Sequence, residues 1–117
     1  VSMIRQRIWD KSGGVCWYCG EGLKRGWHTD HFLPLKRNPD GTMQNPENDS
    51  FENLVPSCAS CNIMKSDMDI EGFRHRIGNF IERLNRDIPV YRHAERYGLV
   101  QETGKDVVFW FENNRGN

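Results

Sequence analysis

The chain has 117 residues, of which 37% are apolar, enough for one globular domain with a modest core and short enough for a metal staple to matter. Sixteen basic side chains balance 16 acidic ones, which excludes net charge as an argument for nucleic-acid binding and leaves charge placement to carry it. No apolar run approaches membrane-spanning length and no charged-apolar-small signal pattern opens the chain, so the sequence reads as that of a cytoplasmic protein in a reducing compartment with no membrane partner.

The chain opens on Val1, which leads to the expectation of either a trimmed chain or a module of a longer protein. Ile4 and Ile8, flanked by Arg5 and Arg7, predict a short helix over residues 2–11, ended by Gly13 and Gly14. Residues 15–26 read as a knuckle carrying Cys16 and Cys19. Trp27 to Leu35 reads as a short strand leading into Pro34, and the polar stretch from Lys36 to Ser50 as an exposed loop rich in Asn, Asp, Gly and Pro. Asn53 to Pro56 forms a second short strand, and a helix bearing Cys58 and Cys61 begins at Ser57. From Asp69, the spacing of Ile70, Phe73, Ile77, Phe80, Ile81 and Leu84 predicts one amphipathic helix closed by Pro89, with another turn or two from Val90 to Tyr97. The tail from Leu99 to Glu112 reads as a β-hairpin, because Gly104-Lys105 suits a two-residue turn and both faces of residues 107–111 are apolar.

Each C-x-x-C pair sets two sulfurs on one turn, and two such turns supply a tetrahedral four-sulfur shell for zinc. Thirty-eight residues separate Cys19 from Cys58, so joining the pairs closes a long loop and fixes what lies inside it. A disulfide framework and a thioredoxin-like redox pair are the alternatives. Zinc held by Cys16, Cys19, Cys58 and Cys61 has no open position, which makes its role structural.

The segment Asp30-His31 with Pro34, then Glu52-Asn53-Leu54-Val55-Pro56, then Cys58 to Lys65 with Asn62 directly after Cys61, resembles the HNH endonuclease family with its ββα-metal core. The resemblance covers roughly residues 15–67 and implies an α+β fold. Its small treble-clef-like core is stapled by a four-cysteine zinc, with additional helices and the C-terminal hairpin forming an extension over about 68–113 of a single domain. It further implies a metal-dependent hydrolase of DNA phosphodiesters, most readily double-stranded DNA. In it His31 is the general base, Asp30 and Asn62 hold a catalytic Mg²⁺ or Mn²⁺, and Asn53 holds the loop after His31 and orients the imidazole. Many members have His where this chain has Asn62, so this is the H-N-N variant. Neighbouring residues on a regular strand point to opposite faces, so Asp30 and His31 share one site only if the strand twists or ends there.

Lys65, three residues after Asn62 on the same helical side, is placed to contact a phosphate, as are Lys24, Arg25, Lys36 and Arg37, which flank the site in sequence. The arginines of the later helices are interrupted by Glu71, Glu82, Asp87 and Glu95, which makes an ion-paired, solvated face an equal reading. The rival functions are a silent treble-clef zinc module that binds nucleic acid or protein, and a nuclease subunit of a larger phage or defence assembly with the tail as docking surface. A homodimer would let two sites cut two strands.

Overall fold

The computed structural model describes residues 2–114, which divide into two compact units, one running to Ile70 and resuming at Phe109, the other Glu71–Val108. In the first, helix α1 (Met3–Asp10) starts at Ser2, whose Oγ accepts from the Arg5 amide at 3.0 Å and satisfies one of the unpaired first-turn donors. Ile8 is its buried residue, and the chain leaves the helix through Gly13 and Gly14, both at positive φ. Gly14 has a second reason to lack a side chain, because a Cβ there would lie 2.7 Å from the Trp9 ring.

Strands β1 (His28–His31) and β2 (Leu54–Ser57) pair antiparallel, with His28 opposite Ser57 and Asp30 opposite Val55. β1 is shorter than the expected Trp27–Leu35. The ladder stops because the chain turns away after His31, where the Phe32 amide bonds to the Asn53 carbonyl at 2.8 Å and Asn53 takes over the Leu33 backbone. Helix α2 (Ala59–Lys65) follows β2 directly and is capped by Cys58, whose Sγ accepts from the Cys61 amide at 3.3 Å.

The tail departs from the expected hairpin. Gly104 does adopt positive φ, but residues 101–109 form no strand and Trp110–Asn114 is a short helix, α6 once the second unit's helices are numbered. The apolar alternation around residue 109 serves a different partner. The Trp110 and Phe111 amides donate to the Tyr18 and Trp17 carbonyls of the first knuckle at 2.8 and 3.1 Å, so a partner strand has no donors left to claim there. The Phe109 and Phe111 rings are buried, as is Tyr18, and pack with it and with the half-buried Phe32 and Trp17, the Phe32–Phe111 centroids lying 5.2 Å apart in an edge-to-face pair. These rings sit inside the first unit, as packing of one face of residues 107–111 on the core requires, while Val108 stays exposed.

The second unit takes up helix α3 (Ile70–Gly78) from Glu71 on, and holds α4 (Phe80–Asp87) and α5 (Pro89–Arg96). The single helix expected from Asp69 is broken in two. Gly78 is a poor helix residue, and Asn79, at φ −94° and ψ 0°, ends one helix by an i−3 bond to Arg76 and begins the next by accepting from the Arg83 amide. Pro89 starts α5, where its missing N–H costs nothing. Glu102 ties the tail back to these helices by accepting from Asn85 Nδ2 at 2.8 Å and the Tyr91 hydroxyl at 3.1 Å. Among the described residues no helix is long and apolar enough to cross a membrane.

Candidate active site and metal centre

The four cysteine sulfurs lie within 4.8 Å of one another, and none is in a disulfide. The Cys19–Cys58 separation is 3.8 Å, about the edge of a tetrahedron with ~2.3 Å metal–sulfur bonds and far too long for an S–S bond. The local backbone prepares the sulfurs for negative charge: the Tyr18 amide points at Cys16 Sγ (3.4 Å) and the Cys61 amide at Cys58 Sγ. Left to themselves the thiols divide their protons. Hydrogen bonding with Cys61 pulls Cys16 down to about 4, burial pushes Cys19 up to about 11, and the same bond to Cys16 pushes Cys61 up. A cation that neutralises all four removes that conflict, so the donor set, spacing and electrostatics fit a tetrahedral zinc held by four thiolates.

Asp30 and His31 are the last two residues of β1, and both line one cleft. Asp30 is buried at 8% exposure, whereas the His31 side chain keeps 28% of its surface open. One Asp30 oxygen, Oδ2, receives the Tyr18 hydroxyl at 2.5 Å and faces Lys65 Nζ at 3.3 Å. Burial and the Asp30 charge push the Tyr18 hydroxyl well above its ordinary value, so it remains a donor. The expectation that Lys65 meets a phosphate does not hold. It has no exposed surface, and its ammonium instead bonds the His31 carbonyl at 3.1 Å as well as facing Asp30. An ammonium with an acidic partner inside the fold has no reason to leave it for solvent.

Asn53 bonds the backbone of the loop after His31. Its Oδ1 accepts from the Leu33 amide, and its Nδ2 donates to the Leu33 and Asn48 carbonyls, all within 2.7–2.8 Å. It does not bond the imidazole. That task falls to Asp49, whose Oδ1 lies 2.9 Å from His31 Nε2. Neither Asp49 nor Tyr18 carries a periodic or spacing signal in the sequence; both reach the site through tertiary contacts.

A cleft of about 510 Å³ is lined by Asp30, His31, Pro34, Leu35, Lys36, Arg37, Ser66 and Asp67. Two of these, Lys36 and Ser66, hold φ of 51° and 52°, a backbone state that side chains disfavour and that gathers at functional surfaces. Lys24 and Arg25 line a different cleft, beside Trp27 and Cys58. Asn62 lies on α2 and is not among the residues lining the first cleft; its side chain makes no hydrogen bond among the described residues. Among the described residues, the four cysteines alone form a cluster of three or more His, Cys, Asp or Glu ligand side chains.

Residues 16–68 match the family model described as HNH endonuclease. In three dimensions the chain is similar to the crystal structure of the Type II-C Cas9 enzyme from Actinomyces naeslundii, with a TM-score of 0.50 and 19% identity. The match covers 88% of this chain and 11% of that one, a likeness of fold. No curated protein matches the sequence.

Proposed function

The chain belongs to the HNH endonuclease family, and from that premise we propose that it is a metal-dependent endonuclease hydrolysing DNA phosphodiester bonds, with the site in the Asp30–His31 cleft. His31 acts as general base. It takes a proton from water, the resulting hydroxide attacks phosphorus, and the 3′ oxygen leaves with the bonding pair and is protonated by solvent, giving 5′-phosphate and 3′-hydroxyl ends. The observation that carries this reading is the partly exposed imidazole opening on a cleft that also holds the carboxylates of Asp30 and Asp67 and two exposed cationic side chains, Lys36 and Arg37.

Asp30, through the oxygen that Tyr18 and Lys65 leave free, and Asn62 would hold Mg²⁺ or Mn²⁺, which when bound stabilises charge on the phosphate and the leaving oxygen. Two protein oxygens make a weak site, which supports completion of the shell by water and substrate phosphate. Lys36 and Arg37 bind flanking phosphates of double-stranded DNA, and Lys24 and Arg25 extend that contact. Cys16, Cys19, Cys58 and Cys61 hold a structural zinc, and four free thiols in one cluster support a reducing, intracellular setting. The core of about 15–67 carries the site, either alone, as a homodimer or inside a larger nuclease.

One observation favours a silent zinc module instead: Asp30 Oδ2 is already occupied by Tyr18 and Lys65. Plasmid cleavage in Mg²⁺, Mn²⁺ or EDTA separates the two readings. The parent protein should cut only with free divalent metal, and His31→Ala should lose cleavage while keeping its zinc and helicity. Full cleavage by His31→Ala removes the assigned base, and no cleavage by the parent leaves the binding module.

A further inference from the structure

We propose that Asp49 is the positioning residue of His31, holding the imidazole in the one tautomer that can act as a base; this rests on the reading of His31 as general base. An ionised carboxylate only accepts hydrogen bonds, so the 2.9 Å contact between Asp49 Oδ1 and His31 Nε2 requires the proton on Nε2. Nδ1 then carries the lone pair, and among the described residues it has no hydrogen-bond partner, which leaves it available to water in the cleft. When Nδ1 takes a proton, the resulting imidazolium faces the Asp49 carboxylate and is stabilised by it.

The chain invests a good deal of structure in placing this one carboxylate. Asp49 follows a 3₁₀ turn, Pro46–Asn48, and closes it with an amide bond to the Pro46 carbonyl at 3.1 Å. Asn45 and Asn48 both donate to the Pro34 carbonyl at 3.2 Å, and Asn53 grips the Asn48 carbonyl and the Leu33 backbone. Three asparagines therefore lock the loop bearing Asp49 onto the segment just after His31. The Asp49 side chain is itself 54% exposed, so its hydrogen bond with His31 adds little to stability, and its fixed placement has another use.

The test uses the zinc-loaded chain with Asp49→Asn and Asp49→Glu, two changes at an exposed position that leave the loop's asparagines untouched. Cleavage kinetics on DNA are read beside the ¹⁵N signals of the His31 ring, assigned by their loss in His31→Ala. The amide of Asp49→Asn can donate to Nε2 and drive the proton to Nδ1. kcat should fall by about 30-fold or more with KM within about twofold, the direction set by the corresponding Asp→Asn change in Ser-His-Asp enzymes. The ring signals should shift toward the Nδ1–H form, and Asp49→Glu should restore most of the rate. Parental kcat and unchanged ring signals in Asp49→Asn overturn the proposal. If the parent cleaves no DNA, the nuclease reading fails by itself, and the ring signals alone decide whether Asp49 sets the tautomer.

Discussion

Lys65→Met should destabilise the first unit out of proportion to the small change in side-chain volume. The wild-type ammonium has no exposed surface and sits 3.3 Å from a carboxylate that is 8% exposed, with a further bond to the His31 carbonyl at 3.1 Å. Removing one member of a buried ion pair costs roughly 3–5 kcal/mol, because the remaining charge keeps its desolvation penalty without its partner. Tyr18 still donates to Asp30, which places the loss at the lower end, about 3 kcal/mol. For a domain of this size that corresponds to a fall in Tm on the order of 12–20 °C. The companion change is informative: Asp30→Asn in the same chain removes the stranded charge, and the double variant should recover about half of the loss. Thermal and urea unfolding of zinc-loaded protein, followed by circular dichroism, measures both. A single variant within about 0.5 kcal/mol of wild type, or a double variant losing the sum of the two singles, would refute the idea that this pair is coupled inside the core.

Gly20→Ala should cost about 1–3 kcal/mol in the same melts, since residue 20 holds φ +77° and the new Cβ would meet Trp110 Cδ1 at 2.9 Å; a neutral result would mean the tail helix can retreat from the knuckle. Chelating the zinc should abolish the near-ultraviolet dichroism of the aromatic cluster, because Trp17 and Tyr18 lie between Cys16 and Cys19 and pack on Phe109 and Phe111. Acidification should release zinc as well. Protons compete with the metal for the four thiolates, so a zinc-dye titration should show release as pH falls, and a zinc content unchanged down to strongly acid pH would contradict it. Lys36→Ala with Arg37→Ala should lower DNA affinity and reduce the slope of log affinity against log salt by about 2, whereas an unchanged slope would take these residues off the phosphate path.

The knuckles, β2 and α2 are legible in the sequence because each is fixed by local chemistry: cysteines with two residues between them, a short apolar strand and a helix start, whereas the polar β1 is legible only in its position. The tail is not legible. Alternating apolar residues from 107 to 111 carry the same pattern whether they pair with a strand or insert rings between knuckle aromatics, and only the Tyr18 and Trp17 carbonyls decide between the two. The break at Asn79 is written in Gly78-Asn79, but an apolar spacing that runs through both residues conceals it. Lys65 is misleading for a related reason. Three residues from Asn62 it shares that side of the helix, but spacing does not say whether the side meets solvent or a buried carboxylate.

The end of β1 is tied to both cysteine knuckles. Asp30 bonds Tyr18, a residue inside the first knuckle, and faces Lys65 at the end of the helix that carries the second. His31 carries its imidazole to Asp49, and both Asp30 and His31 line the cleft. Lys65 links the two, because the same ammonium that faces the Asp30 carboxylate also holds the His31 carbonyl. A shift of either knuckle would therefore move the His31 backbone without touching its side chain. Loss of the sulfur cluster should thus cost activity even where no cysteine contacts substrate, and the four-cysteine site becomes the alignment device of the cleft as well as its staple.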